Sequence, residues 1–433
     1  MTNDYGAPAL ERLEALAAIS DEPDRLTRLY LSNSHLRAIG IVADWMREAG
    51  MEIRIDAVGN VIGRYEGLRP AAPALLMGSH IDTVSDAGKY DGNLGVVAAI
   101  AVVAELNRRR QRFSFAIEVL AFGDEEGVRF PSTLLGSRAV AGTAPAAMLE
   151  ARDKNGISIE QALSALHPHR PSLASAAFSR DKCLGYVEIH IEQGPVLETE
   201  GLALGIVTAI NGAGRFKLTL DGTAGHSGTV PMALRHDALV AAAEIIMAVE
   251  SKARATPELV ATVGFLHVEP GAVNVIPGRV VLKIDIRGPE DAVRLQASRD
   301  IIAKAEEIAR ARGIALAFEQ FHEAPVVRCD PALVGLLSGS VARLGHEPRL
   351  LRSGAGHDAM IVASLCPVVM LFTRCAGGIS HNPAESATVE DIDAAIRVLL
   401  AFVSDFAAQL APHHRLQWGA PPSQADRTPH ALA

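Results

Sequence analysis

Residue types able to hold a metal or move a proton gather in four short stretches of this 433-residue chain. GSHIDTVSDAGKYDGN, residues 78–93, carries His80, Asp82 and Asp91 directly after the apolar run that ends at Met77. AFGDEEGVRF carries Asp124, Glu125 and Glu126, YVEIHIEQG carries His190, and GGISHNPAE carries His381. Each stretch ends or follows a strand-like run. In an open α/β sheet, ligands collect beyond the carboxyl ends of the strands, so residues distant in sequence can converge there. Three histidines with the carboxylates of Asp91 and Glu126 suit two divalent ions, one carboxylate bridging them. Such a pair would polarise a carbonyl and acidify a water near neutral pH. Glu125 would be the spare carboxylate, free to carry a proton to a leaving nitrogen. Asp82, two residues past His80, is placed to accept the other ring N–H and orient the imidazole.

Singly, these residues have plainer readings. His190 alone reads as a hydrogen-bonded structural histidine, His80 as a strand-end cap, and Glu125-Glu126 as a solvated turn. The strand YVEIHI alternates, which puts Glu188, His190 and Glu192 on one, polar face and Val187, Ile189 and Ile191 on the other. The combination of all the loci shifts the balance towards a metal centre.

The elements that must position them alternate from the start. VADWMREAG closes a helix on glycine, EIRIDAVGNVIGRYEG reads as a hairpin, and APALLMGSH as a buried strand. A helix over 93–110 and the strand FSFAIEVLAFG follow, an α/β layer pattern. After residue 212 the order becomes strand, helix, strand, strand, helix, strand: GRFKLTLDG, LRHDALVAAAEIIMAVESKA, LVATVGFLHVEP, GRVVLKIDIRG, residues 289–313 and IALAFEQ. That is a ferredoxin-like split unit. Beyond about residue 325 the α/β style returns through VVMLFTRC and a helix over 389–410. The expected fold is therefore α/β in two domains: a discontinuous domain with a central sheet, residues 1–211 and 325–412, interrupted by a ferredoxin-like α+β insertion, 212–324. Residues 413–433, rich in Pro and polar side chains and including His413 and His414, read as a disordered tail.

Bulk properties exclude other classes. Hydrophobic residues make up 49% of the chain, enough for a large core. A net charge of −9 argues against a nucleic-acid-binding face, which needs clustered Lys and Arg. The longest apolar run, LGVVAAIAVVAEL at 94–106, is too short to span a bilayer, and the N-terminus lacks a basic region leading into an apolar signal segment. Cys183, Cys329, Cys366 and Cys375 lack metal-finger spacing and read as thiols in a reducing compartment. The expectation is a cytoplasmic protein with no membrane or nucleic-acid partner.

GSHIDTV, GKYDGNLGV, DEEGVRFPSTLLGS, YVEIHIEQGPVLE, GHSGTVPMALRHDA, NVIPG, SGAGHDAM and GGISHNPAE together resemble the dinuclear-metal amidohydrolases related to aminoacylase and carboxypeptidase. The branch contains allantoate amidohydrolase, ureidoglycolate amidohydrolase and the N-carbamoyl-L-amino acid hydrolases with β-ureidopropionase. The resemblance runs from about residue 10 to 410. It implies one ion on His80, Asp91 and His190 and another on Asp91, Glu126 and His381, with Glu125 as base. Nitrogen and oxygen donors of this kind suit zinc or manganese, and cobalt as well, without choosing among them. His at 190 is similar to the ureido-cleaving branch, whereas peptidase relatives place a carboxylate there.

The same resemblance assigns His226, Asn274 and Arg287 to a small anionic ureido substrate. It also implies a homodimer in which His226 and Asn274 reach the partner's active site, the inserted domain serving as lid and dimerisation element. Arg287, ending GRVVLKIDIR, would pair with a carboxylate in bidentate fashion. His226 would donate to an oxyanion, and Asn274 would hydrogen-bond a carboxylate or ureido group. Gln193, Arg215 and the backbone amide of Gly356 are further substrate candidates, and His357 reads either as structural or as a residue supporting a metal ligand. One departure from the resemblance is Ala213, two before Arg215, where relatives commonly carry Gln, and it bears on fine substrate discrimination. The implied reaction is hydrolysis of allantoate to ureidoglycine, ammonia and carbon dioxide. The alternatives are an N-carbamoyl-L-amino acid hydrolase, a ureidoglycolate amidohydrolase, or a binding module that kept the fold without catalysis.

Overall fold

The computed structural model describes residues 4–167 and 171–410. The tail expected to be disordered, 413–433, lies outside them. The fold is mixed α/β, and the chain divides into two compact units. The first comprises the chain up to Thr208, Cys329–Leu351 and the chain from Gly356 on; the second comprises Ala209–Arg328 and the short return Arg352–Ala355. Nothing in the sequence marks that return.

The first unit is built on a mixed sheet whose neighbouring strands run Glu52–Ile55, Val61–Tyr65, Ala116–Phe122, Ala74–His80, Cys183–Ile191, Val368–Thr373 and Leu204–Ile210. The first two form the expected antiparallel hairpin. The middle four are mutually parallel, so their carboxyl ends share one edge of the sheet. Every residue of Ala74–His80 and Ala116–Phe122 is buried, as parallel strands covered on both faces require.

That covering corrects one expectation. Glu188 and His190 do not face a polar surface; both are buried. The strand ends at Ile191, and the Glu192 carboxylate turns away to accept the N–H groups of Val196 and Leu197 at 2.8 and 2.9 Å, holding the start of the helix Val196–Glu200. In a strand shielded on both sides, a charged residue at every second position marks buried machinery rather than solvent.

The apolar run at 94–106 folds as the helix Asn93–Arg108, whose Leu94, Val96, Val97, Ile100, Val102 and Val103 are buried. Each such side chain is worth about 1.5–3 kcal/mol removed from water, which anchors the helix firmly over the sheet. It approaches so closely that a Cβ on Gly95 would stand 2.3 Å from the carbonyl oxygen of Ile189. Any larger residue would push the helix off the strand that carries His190. Helices Gly6–Ala17 and Val389–Gln409 pack beside it. Among the described residues, no helix is long and apolar enough to cross a membrane.

The second unit has the ferredoxin-like order. Its antiparallel sheet runs Ala315–Ala324, Gly212–Asp221, Arg279–Gly288, Val260–Glu269, and the helices Ala238–Ala255 and Asp291–Ala311 pack on it. Phe216, Leu218 and Leu220 are buried, while Arg215, Lys217 and Thr219 between them are partly exposed, the alternation a one-sided sheet demands. The Asp237 carboxylate accepts from the N–H groups of Leu239 and Val240 and caps the first helix.

Candidate metal centre

The four loci singled out in the sequence meet at the shared strand edge. His80 is the last residue of Ala74–His80, and His190 is the penultimate residue of Cys183–Ile191. Glu125 and Glu126 lie just beyond Ala116–Phe122, and His381 lies beyond Val368–Thr373. Asp91 comes from the loop that opens Asn93–Arg108. Asp124, Gln193 and His381 all hold left-handed backbone, φ 64°, 56° and 54°. Non-glycine residues pay for that conformation, and such strain concentrates at functional sites.

Asp91 is the hub. Its Oδ1 lies 3.0 Å from His190 Nε2 and 3.6 Å from His80 Nε2. Its Oδ2 lies 3.1 Å from His381 Nε2, and that same nitrogen is 3.6 Å from Glu126 Oε2. The two sets His80–Asp91–His190 and Asp91–Glu126–His381 each bring one donor atom per residue within 4.8 Å of the others. One carboxylate thus serves both, an oxygen to each side.

The tautomers follow from the other ring nitrogens. His80 Nδ1 lies 3.0 Å from the carbonyl oxygen of Asp82, and His190 Nδ1 lies 2.9 Å from that of Ile191. A carbonyl only accepts, so each Nδ1 carries the hydrogen. A neutral ring then turns its Nε2 lone pair towards Asp91, acceptor against acceptor. Only a proton or a cation between them makes that arrangement favourable, and neutral imidazole with carboxylate is the donor set of a divalent metal. The residues present therefore fit a pair of such ions. His80 is also held by shape: a Cβ on Gly92, at φ 64°, would stand 2.4 Å from its ring.

The electrostatics match. Burial, with the carboxylates of Glu126, Asp358 and Asp82, pushes Glu125 well above the usual carboxylate range against the pull of His80. Burial, with Asp91, pushes Glu126 up to about 7. Asp91 moves the other way: burial alone would raise it, but His190, His381 and His80 hold it well below. The hydrogen bond to Asp91, joined by the charge of Glu126, raises His381 to about 9 against burial. Glu125 and Glu126, both disfavoured as anions in one buried place while His381 is favoured as a cation, describe a site short of positive charge.

Two of the expected residues, Asp82 and Gln193, make contacts other than those the sequence suggests. Asp82 meets His80 through its main-chain carbonyl; its carboxylate Oδ1 is 3.8 Å from the ring. That carboxylate instead accepts the N–H groups of Glu125 and Glu126, both at 3.2 Å, and so fixes the turn bearing both glutamates. Gln193 uses its amide on the hub, donating to Asp91 Oδ2 at 2.9 Å and to Ser380 Oγ at 3.0 Å. Gly356 is exposed, just ahead of the short helix Asp358–Val362.

The remaining candidates lie in the second unit. Arg287 donates through Nε and Nη2 to the two oxygens of Asp285 at 2.9 and 3.1 Å, and through Nη1 to the carbonyl of Gly354 at 2.8 Å. Arg215 shares the same carboxylate, Nε to Oδ2 at 2.9 Å. Ala213 is the register partner of Arg287 on the adjacent strand. His226 and Asn274 are both exposed, on a small ribbon in which Gly225–His226 pairs with Val275–Ile276.

Glu385 has no place in the sequence reading, which puts Glu188 beside His190 without a role and leaves His357 as structural or as supporting a ligand. Glu188 is wholly buried, accepting from Ser79 Oγ at 2.7 Å and the Ala359 N–H at 3.1 Å, and the His357 ring packs edge-on against His190 at 4.5 Å between centroids. Glu385 accepts from the N–H groups of Tyr90 and Asp91. A carboxylate four residues after His381 is the available signal for Glu385, and of the two readings of His357 its contact with the His190 ring favours the supporting one.

A family model described as peptidase family M20/M25/M40 matches residues 76–405, from the strand that ends on His80 to the last helix. The chain belongs to this family. An N-carbamoyl-L-amino acid amidohydrolase of Geobacillus stearothermophilus is 44% identical over 90% of this chain and 95% of its own. An allantoate deiminase of Arabidopsis thaliana is 40% identical over 91% of this chain and 81% of its own. Among solved structures, an amidase of the hydantoinase/carbamoylase family from Burkholderia multivorans superposes with a TM-score of 0.87 at 34% identity, covering 92% of this chain and 97% of that one. With that membership the chain is an amidohydrolase, a hydrolase of carbon–nitrogen bonds.

Proposed function

We propose that this member of the family is a two-metal amidohydrolase that cleaves the terminal carbon–nitrogen bond of a ureido acid, with allantoate as substrate. The observation that carries the reading is the Asp91 carboxylate standing between two donor sets, with a further carboxylate, Glu125, at the same strand edge. His80, Asp91 and His190 would hold one ion and Asp91, Glu126 and His381 the other. Imidazole and carboxylate donors suit zinc or manganese, and cobalt as well. Bound there, the ions would supply Lewis-acid polarisation of the ureido carbonyl and acidify the attacking water.

The chain's own residues do the rest. Glu125 takes a proton from that water at its carboxylate and returns it to the departing nitrogen, so ammonia leaves and the resulting carbamate loses carbon dioxide. Asp82, gripping the N–H groups of Glu125 and Glu126, keeps both carboxylates aimed. Arg287 has five N–H groups, three of them engaged by Asp285 and Gly354. One remains on each terminal nitrogen, a two-pronged donor for the substrate carboxylate. Arg215 lends a second positive charge beside it.

His226 and Asn274 would act in the centre of a second copy, the inserted unit serving as dimerisation element and lid. Their exposure supports this, as does the large exposure of Met232, Leu234 and Val273 near them in sequence. The four cysteines are free and buried, which suits a cytoplasmic enzyme.

A second reading, hydrolysis of N-carbamoyl-L-amino acids, is favoured by the 44% identity to the Geobacillus enzyme; ureidoglycolate is a third ureido acid to test. Zinc- or manganese-loaded protein assayed in parallel for ammonia release separates them. Allantoate is expected to give the highest kcat/KM. Turnover confined to N-carbamoyl amino acids would replace the first reading with the second, and turnover of none would overturn both.

A further inference from the structure

Glu385 carries no role in the reaction outlined above, yet it is buried at 3% exposure within the centre. Its Oε1 accepts the N–H groups of Tyr90 and Asp91 at 2.8 and 3.0 Å. Its Oε2 accepts the hydroxyl of Ser380, the residue before His381, at 3.1 Å. That hydroxyl also stands 3.1 Å from Asp91 Oδ2, and the Gln193 amide reaches both. One side chain therefore ties the loop that presents the hub aspartate to the loop that presents His381. Its seat is fitted: a Cβ on Gly88 would fall 2.3 Å from Glu385 atoms.

The two donor sets depend on this tie unequally. His80 and His190 sit in strands of a buried parallel sheet, and their rings are locked by main-chain carbonyls. His381 sits outside any strand or helix, its side chain half exposed, on left-handed backbone. We propose that Glu385 is a positioning residue that, through Ser380, fixes the Asp91 and His381 loops against each other, so that the Asp91–Glu126–His381 site owes its affinity to it. The proposal rests on the two-ion reading above.

A glutamine can keep the Tyr90 and Asp91 N–H groups on its carbonyl oxygen, but its NH₂ would donate to Ser380 Oγ where the carboxylate accepts from it, so only that side of the tie is altered.

The test is zinc titration of the metal-free full-length protein by calorimetry, with melting temperature of the metal-free form as control, for the parent, Glu385→Ala, Glu385→Gln and Ser380→Ala. The parent is expected to bind two ions. Fewer than two would sink the two-ion reading itself, whatever the variants do. Against a two-ion parent, Glu385→Ala is expected to keep one tight ion and to bind the other about 10–100-fold more weakly, the usual cost of losing a group that orients a ligand. Glu385→Gln should fall between. Ser380→Ala, which removes only a hydroxyl, should weaken the same ion by a smaller factor without lowering the melting temperature. Unchanged affinities in Ser380→Ala and Glu385→Gln, or both ions weakened together in step with a lowered melting temperature, would overturn the proposal.

Discussion

Glu125→Gln lowers kcat by about 10³-fold, within the range for removing a positioned general base, while both ions stay bound and KM moves little. The substitution keeps shape and hydrogen-bonding size but removes the ability to accept a proton. The side chain belongs to neither of the two donor sets around Asp91, so metal content should be unaffected. A competing arrangement exists, in which Glu125 joins His80 and Glu126 as a donor. Metal analysis of the variant decides between them, since a ligand's removal would strip an ion. Stability should move oppositely to activity. The folded Glu125 carboxyl is raised well above its ordinary value, by burial first and then by Glu126, Asp358 and Asp82. Its ionisation therefore favours the unfolded chain, and that penalty grows as pH rises above the ordinary carboxylate pKa. A neutral glutamine removes it, so metal-free Glu125→Gln should melt at or above the parent at neutral pH. A variant that retained parental kcat would remove Glu125 from the chemistry.

Asp91→Ala has the larger consequence for the ions. It deletes the one carboxylate shared by both donor sets and leaves His80, His190 and His381 without their common partner. Both ions should be lost together, where His381→Ala should cost one. Loss of Lewis-acid stabilisation worth several kcal/mol lowers turnover by about 10³-fold or more. Metal content by elemental analysis and ammonia release check the two halves separately. Retention of one tight ion in Asp91→Ala would show that the aspartate does not bridge.

The candidate metal donors were legible because chemistry and local pattern coincided. His80, Glu126, His190 and His381 end or follow an apolar run long enough to be a central strand, and a parallel sheet sends those ends to one edge, where the loop opening Asn93–Arg108 brings Asp91. The order of elements after residue 212 fixed the inserted unit's topology in the same way, through strands that alternate apolar and polar residues over a one-sided sheet. Asp82 was harder, because a carboxylate two residues from a histidine has a backbone carbonyl beside it, and the carbonyl took the ring while the carboxylate took a turn. Glu192 followed the alternation of YVEIHI on paper, but the strand stops one residue earlier and the side chain caps a helix. The contacts made by Glu188, His357 and Glu385 are not legible in the sequence for a common reason. Their work is done on other side chains and on backbone N–H groups brought near only by the fold, and no spacing in the sequence encodes those contacts.

The central claim is that five side chains grip two cations around Asp91. Anomalous diffraction from crystals of the zinc-loaded protein tests it directly. Two peaks roughly 3.5–4 Å apart are expected, one beside His80 and His190, the other beside Glu126 and His381, with an Asp91 oxygen on each. A single peak, or ions seated away from Asp91, would contradict it.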